Sequence, residues 1–341
     1  MKIGIVGGSG YSGGELIRNL LNHPHFEISY IAAGASAGES ITSVHPHLTQ
    51  LAGEVFEATS TEKMNTCDLI FFALPHGESH KYVQQLDQSV KVVDLGADYR
   101  LDDPQQWSKY YGGEHAGSWV YGMPELPGAR ARIASANRIA NPGCYATAIA
   151  LAIAPAVSEG LINEEDIVVV ASSGVTGAGR SAKVNLLGAE TMNSLTSYKF
   201  GGVHQHTPEI EQTLNSIGGK GSKISFTPIL APMPRGILAT TTATLKTSND
   251  VESIREIYRN FYSGEQFVSI LPSGELPRTS SLTGSNSVHI QIAVDEHTNR
   301  LIVSSALDNL GKGAAGAAIQ NANLICGFDE STGLTAIGVR G

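Results

Sequence analysis

The chain has 341 residues, 41% of them apolar and 16% charged. That length allows about two domains of ~150 residues each, and the composition excludes a disordered or fibrous chain. Lys plus Arg number 23 against 32 Asp plus Glu, a net charge of −9, which argues against nucleic acid or an anionic membrane as the main partner.

No apolar run approaches the ~20 residues that span a bilayer. Three cysteines, Cys67, Cys144 and Cys326, are too few and too scattered for a disulfide framework or a zinc cluster. The start, Met1-Lys2-Ile3-Gly4-Ile5-Val6, lacks the pattern of a secretory leader. The expected compartment is the cytoplasm, and no metal is expected.

Residues 3–6 form a short apolar run closed by glycines. A helical pattern follows through Leu16, Ile17, Leu20 and Leu21. Residues 26–33, 68–74 and 91–95 read as further strands, the middle one apolar throughout, as in a parallel strand covered on both faces. Residues 80–86 are helix-compatible. The alternation predicts an α/β, Rossmann-like doubly wound parallel sheet.

Beyond about residue 145 the rhythm changes. Residues 146–157 predict an Ala- and Ile-rich helix and 166–171 a strand. Residues 224–230, 237–246, 287–294 and 302–306 carry alternating or β-branched patterns with fewer helices between them. A second, α+β domain with a mixed sheet is expected. Residues 314–325 predict a final helix.

Gly7-Gly8-Ser9-Gly10-Tyr11-Ser12-Gly13 follows the first strand and opens a helix. Its glycines let backbone N–H groups at a helix start approach a pyrophosphate. The end of the second strand, Ala33-Gly34-Ala35-Ser36, has no acid to hold a ribose 2′-hydroxyl. Ser36 can donate to a 2′-phosphate instead, which favours NADP over NAD.

Asn141-Pro142-Gly143-Cys144 stops one element just before the Ala-rich helix. Cys144 should therefore sit near a helix N-terminus, where a thiolate nucleophile is favoured. A buried structural cysteine is the competing reading, and it is the one adopted for Cys67 and Cys326. His204 and His206, with Glu209 close behind, can move protons near neutral pH. They also read as surface histidines, or as a metal pair lacking a third ligand. The loop 172–180 combines Ser173, Gly174 and Arg180, and Arg235 stands between Pro234 and Gly236. Such groups suit a phosphate or carboxylate.

These segments resemble one family closely, the N-acetyl-γ-glutamyl-phosphate reductases. The likeness extends through His45-Pro46-His47-Leu48, Ala73-Leu74-Pro75-His76-Gly77, Asp94-Leu95-Gly96-Ala97-Asp98-Tyr99-Arg100, Tyr121-Gly122-Met123-Pro124-Glu125-Leu126 and Asp308-Asn309-Leu310-Gly311-Lys312-Gly313-Ala314. It covers nearly the whole chain in order. Many members carry an arginine element after the second strand, where this chain has Gly34-Ala35.

The resemblance implies NADPH-dependent reduction of N-acetyl-γ-glutamyl phosphate to the 5-semialdehyde, with release of phosphate, in arginine biosynthesis. Cys144 would carry a thioester, with His206 as acid/base and His204 and Glu209 near it. Gly7, Ser9, Gly10, Tyr11, Ser12, Gly13, Ser36, Leu74, Pro75 and Asn309 would contact NADP(H). Asn141, Ser173, Gly174, Arg180 and Arg235 would hold substrate. The fold would be that of aspartate-semialdehyde and glyceraldehyde-3-phosphate dehydrogenase relatives. Residues 1–143 plus 310–341 would bind nucleotide, 144–309 would catalyse and oligomerise, and the last helix would return to the nucleotide domain. A dimer or tetramer is implied. Sister activities on aspartyl or carrier-bound aminoadipyl phosphate, or a non-enzymatic NADP-binding regulator, are the alternatives.

Overall fold

Ile3, Ile5 and Val6 are fully buried, because the strand they form, β1 (Lys2–Val6), has parallel neighbours on both edges. A computed structural model, describing residues 1–247 and 250–339, shows six strands in this sheet: β1, β2 (Glu27–Ala32), β3 (Leu69–Phe72), β4 (Lys91–Asp94), β5 (Val120–Tyr121) and β6 (Arg138–Ala140). Their order is β2-β1-β3-β4-β6-β5, and every pair is parallel. All four residues of β3 are buried, as an apolar strand covered on both faces requires.

Helices α1 (Tyr11–Leu20), α2 (Ile41–Val44), α3 (Thr61–Met64), α4 (His80–Val83), α5 (Pro104–Tyr110) and α6 (Ala129–Ala134) lie in the connections. The expected doubly wound sheet is thus present, with β5, β6 and α5 added where the sequence pattern gave no reading.

By contacts the chain divides into two units. The first is Met1–Pro124, Gly128–Pro142 and Ala314–Leu334. The second is Glu125–Pro127, Gly143–Gly313 and the described residues from Thr335 on. Residues 310–313, expected with the nucleotide domain, group with the second unit because they pack into it. A Cβ on Gly311 would meet Ser285 O, and Lys312 pairs with Glu125.

The second unit is built around α7 (Cys144–Ser158), in which every residue from Tyr145 to Val157 is buried. A helix apolar on all sides belongs in a core. It is flanked by α9 (His206–Ser216) and α10 (Val251–Phe261), while the short α8 (Gly188–Thr191) lies on the surface with no buried residue. The strongly one-sided α10, with Ile254 and Tyr258 inward, was not read from the sequence.

The second sheet comprises β7 (Ile167–Gly174), β8 (Thr196–Ser197), β9 (Ile224–Ala231), β10 (Ile237–Thr244), β11 (Val268–Ile270), β12 (Val288–Asp295) and β13 (Arg300–Leu307). Its order is β11-β12-β13-β10-β7-β9-β8. Two of its pairings are parallel and four antiparallel, the mixed sheet expected. Register gathers four strand ends side by side. Ile237 lies opposite both Leu307 and Ser173, and Gly174 lies opposite Ala231. The segments around residues 174, 235 and 308 therefore emerge together.

A π-helical turn, Gly311–Ala315, then leads into α11 (Gly316–Ile325), which returns to the first unit. There its Asn321 amide donates to Gly122 O (2.8 Å) and Asn141 Oδ1 (3.0 Å). No helix among the described residues is long and apolar enough to cross a membrane.

Candidate active site

In the first unit, β1 delivers the chain into Gly7, whose φ is 92°. A Cβ on Gly7 would lie 2.3 Å from Ala73 O, and one on Gly13 would lie 2.3 Å from Gly7 O. Both positions exclude any side chain. A Cβ on Gly10 would meet only Gly7 O, at 3.5 Å, so the turn is open on that side. Gly10 starts α1 in an extended conformation, with no side-chain cap and no acid in the first turn. The N–H groups of Tyr11, Ser12 and Gly13 have no acceptor within the helix and lie at its positive end. This geometry fits a pyrophosphate.

The buried His45 ring supports the turn from within the unit. Its Nε2 lies 2.8 Å from Gly8 O, and a Cβ on Gly14 would strike it at 2.5 Å. Ser36 is half-buried just after β2, and no carboxylate stands between Ala33 and Ser36. Leu74 Cδ2 lies 3.3 Å from where a Gly7 Cβ would be, and Pro75 is exposed.

Two carboxylates at and just beyond the end of β4, Asp94 and Asp98, brace the loop after β3. Asp98 accepts from Gly77 N–H (2.6 Å) and His80 N–H (3.1 Å). Burial alone would raise Asp98, but these N–H groups and the His80 ring outweigh it and hold the carboxyl below its ordinary range. Asp94 accepts from the Ser79 hydroxyl (2.6 Å) and Gly96 N–H (2.7 Å). Burial pushes Asp94 up to about 6, with the Asp98 charge adding to the rise.

In the second unit, Cys144 is the first residue of α7 and is half-buried. Gly143 is extended, and Cys144 stands at the helix start that Pro142-Gly143 predicted. Gly143 N–H donates to Glu209 Oε1 (2.8 Å). Glu209 is wholly buried on α9, so its carboxylate fastens α9 to the start of the cysteine helix. Gly313 touches the same spot: a Cβ on it would lie 2.8 Å from Cys144 Cβ.

His204 and His206 flank the start of α9, with ring centroids 4.8 Å apart. His206 N–H donates to His204 Nδ1 (3.1 Å). That bond places the His204 proton on Nε2 and occupies its other nitrogen. The Tyr145 ring stands edge-on to both, at 5.4 and 6.1 Å. Tyr198 donates to the Tyr145 hydroxyl (3.2 Å). Burial drives both phenols well above their ordinary range, and the nearby Cys144 charge adds to each rise.

The four gathered strand ends supply the remaining groups. Ser173 is buried, and Gly174 packs so tightly on Arg235 N (2.7 Å to a Cβ) that no larger residue fits. Asn309, expected at the nucleotide, belongs to the second unit. Its Oδ1 accepts from Gly236 N–H (2.7 Å), and its Nδ2 donates to Thr176 Oγ1 (3.0 Å). Arg180 is exposed on its loop. Asn141 lies in the first unit, where its amide donates to Ala314 O (3.2 Å). The Cys326 thiol is pushed up to about 11 by burial, which suits an inert residue, and Cys67 is buried.

Residues 2–136 match the semialdehyde dehydrogenase NAD binding domain and residues 144–309 the semialdehyde dehydrogenase dimerisation domain. An N-acetyl-gamma-glutamyl-phosphate reductase from Acidothermus cellulolyticus is 55% identical, over 99% of this chain and 98% of its own. The chain belongs to the N-acetyl-gamma-glutamyl-phosphate reductase family. Reductases of the same name from Frankia casuarinae (52% identical) and Streptomyces coelicolor (50%) match over 99% of both chains.

As a member of that family the chain is an oxidoreductase. Its fold is shared with aspartate semialdehyde dehydrogenase II from Vibrio cholerae. That likeness has a TM-score of 0.71 at 18% identity and covers 95% of this chain and 98% of the other.

Sequence reasoning missed several groups in this reductase-family chain. Gly313, Asp308 and His45 stood within segments quoted for the resemblance, but no role could be read for them. Tyr198 lay in a stretch with no periodic pattern, and its partnership with Tyr145 spans 53 positions. A glycine between Lys312 and Ala314, at the start of an otherwise helical run, was the one available signal of close backbone approach.

Proposed function

We propose that this chain reduces N-acetyl-γ-glutamyl phosphate, the compound in its relatives' name, to N-acetylglutamate 5-semialdehyde, releasing phosphate. The observation that carries the reading is a half-buried thiol at the first position of α7. It is bordered by Gly313, and the helix start is fastened by Glu209.

The first unit is the nucleotide-binding part. Gly7, Ser9, Gly10, Tyr11, Ser12 and Gly13 would hold the pyrophosphate. Ser36, on a strand end without a carboxylate, would favour the 2′-phosphate of NADP. Leu74 and Pro75 would border the cofactor, and Asn309 is a further contact carried over from the family. NADPH, when bound, supplies the hydride.

The second unit supplies the covalent chemistry. His206 takes the proton of the Cys144 thiol, since His204 already spends its Nδ1 on the His206 N–H. The thiolate, favoured at the positive end of α7, attacks the acyl carbon. A C–S bond forms, the bond to phosphate breaks, and the proton leaves with the phosphate. Splitting one hard substitution into acyl transfer and reduction lowers each barrier. The backbone N–H groups of the first α7 turn lack helical acceptors and can stabilise the oxyanion. Ser173, Gly174 and Arg180 line the loop for the phosphate, and Arg235 takes the substrate's carboxylate.

We further propose a cytoplasmic homo-oligomer. Val168, Val170 and Leu238 expose 36%, 45% and 37% of their surface on one face of the second sheet, an apolar area that suits another copy of the chain. The test of function is a panel in the dehydrogenase direction, with both pyridine nucleotides. It compares the semialdehydes of N-acetylglutamate, aspartate and aminoadipate. Preference for N-acetylglutamate semialdehyde with NADP supports the reading, and preference for either other substrate overturns it.

A further inference from the structure

Asp308 immediately follows β13 and is wholly buried. A buried carboxylate is costly unless it is paired and hydrogen-bonded. Asp308 meets both conditions. Its Oδ1 accepts from Arg235 Nε (3.0 Å) and Leu310 N–H (3.0 Å). Its Oδ2 accepts from Arg235 Nη2 (2.7 Å) and Gly284 N–H (2.5 Å). The guanidinium is therefore gripped along one edge by two parallel bonds, the arrangement that fixes a planar fork in direction as well as position.

The neighbouring residue secures the main chain of the same loop. Asn309 bonds Gly236 N–H and reaches Thr176 of the Ser173 loop. Four residues on, Gly313 abuts Cys144. One short segment thus bonds Arg235 at one end and abuts the Cα and Cβ of Cys144 at the other, with Lys312 anchored on Glu125 between them.

We propose that Asp308 is the positioning residue for Arg235. Through the segment 308–313 it holds the guanidinium in fixed register with the Cys144 thiol. Arg235 then meets the substrate's carboxylate while the reacting carbonyl lies at the sulfur. The inference rests on the assignment of Arg235 as the carboxylate group under the proposed function. It explains why an arginine in a loop needs a buried partner: a guanidinium free to swing would not select one chain length between carboxylate and carbonyl.

The experiment uses the full chain with Asp308→Asn and Arg235→Lys, singly and together, and follows folding by circular dichroism. Each single variant is expected to raise KM for N-acetylglutamate semialdehyde about tenfold, with kcat within about threefold, the signature of lost uniform binding. KM for NADP should stay within about twofold. The double variant should be no worse than the worse single, because one unit is broken once. A folded Asp308→Asn enzyme whose semialdehyde KM is unchanged overturns the proposal, and so do single effects that multiply in the double variant. Should Asp308→Asn fail to fold, Arg235→Lys decides, since a lysine cannot fill the two-pronged site; an unchanged KM there is contradictory. If the parent ignores N-acetylglutamate semialdehyde, the functional reading fails. The same variants are then scored on whichever semialdehyde of the panel it oxidises.

Discussion

Gly313 and Cys144 are in contact, and the contact leaves no room for a methyl group. A Cβ on Gly313 would stand 2.8 Å from Cys144 Cβ, 3.3 Å from Cys144 Cα and 3.2 Å from Asp308 O. Gly313→Ala must therefore move the thiol or the segment that carries Asp308. A misplacement of ~1 Å at a reacting group costs about 100-fold, and that is the expected fall in kcat/KM. Cofactor affinity measured by fluorescence titration should change little, because the nucleotide turn lies in the other unit. Full activity in Gly313→Ala would show that the thiol tolerates displacement.

Glu209 is assigned to hold the start of α7 through Gly143 N–H. Glu209→Gln keeps an oxygen for that bond and should retain activity within about threefold. Glu209→Ala leaves a buried donor unpaired, at a cost of about 1–3 kcal/mol, and should lower both kcat/KM and the melting temperature. If the Gln variant proves as damaged as the Ala variant, the negative charge itself takes part in the reaction.

Much of the framework was legible in the sequence, for physical reasons that differ by element. The runs of β1, β3 and β4 are apolar because both faces are covered, and Gly7 and Gly13 punctuate the turn because nothing larger fits. Cys144 was readable as a helix start from Pro142-Gly143 alone. The role of Asp308 was not readable, since it depends on register that sets β13 beside β10 and so brings residue 308 to residue 235. Asn309 was expected at the nucleotide from its segment, and its Gly236 and Thr176 bonds appear only once those strands are paired. The helix α10 was not readable although its inward Ile254 and Tyr258 follow a helical spacing, because β-branched runs on either side carry a strand signal.

Cofactor choice is expected to respond to Ser36. A carboxylate at that strand end repels a 2′-phosphate and accepts from a 2′-hydroxyl. Ser36→Asp should raise KM for NADP by about tenfold or more, the scale of one charged contact, and improve NAD. Steady-state kinetics with both nucleotides measure the ratio. An unchanged ratio would place the 2′ contacts elsewhere.

Asp94 makes a pH prediction whose sign can be worked out. Its carboxyl is pushed from 3.8 up to about 6 in the folded protein, so the native state holds a proton that the unfolded state releases. Its contribution to stability is fully present below about pH 4 and is lost as pH rises through 6. Asp94→Asn removes that dependence while keeping an acceptor for Gly96. Urea unfolding should show the parent losing about 2–3 kcal/mol relative to Asp94→Asn between pH 4 and 7.5. Parallel pH profiles would show that Asp94 carries its charge without penalty.

The most direct measurement is mass spectrometry of the protein mixed with N-acetylglutamate semialdehyde and NADP without phosphate, so that the acyl group cannot leave by phosphorolysis. An N-acetylglutamyl adduct on the peptide that contains Cys144, absent from Cys144→Ala, is the predicted result. An adduct on another residue, or a Cys144→Ala enzyme within about tenfold of the parent's activity, would contradict the account.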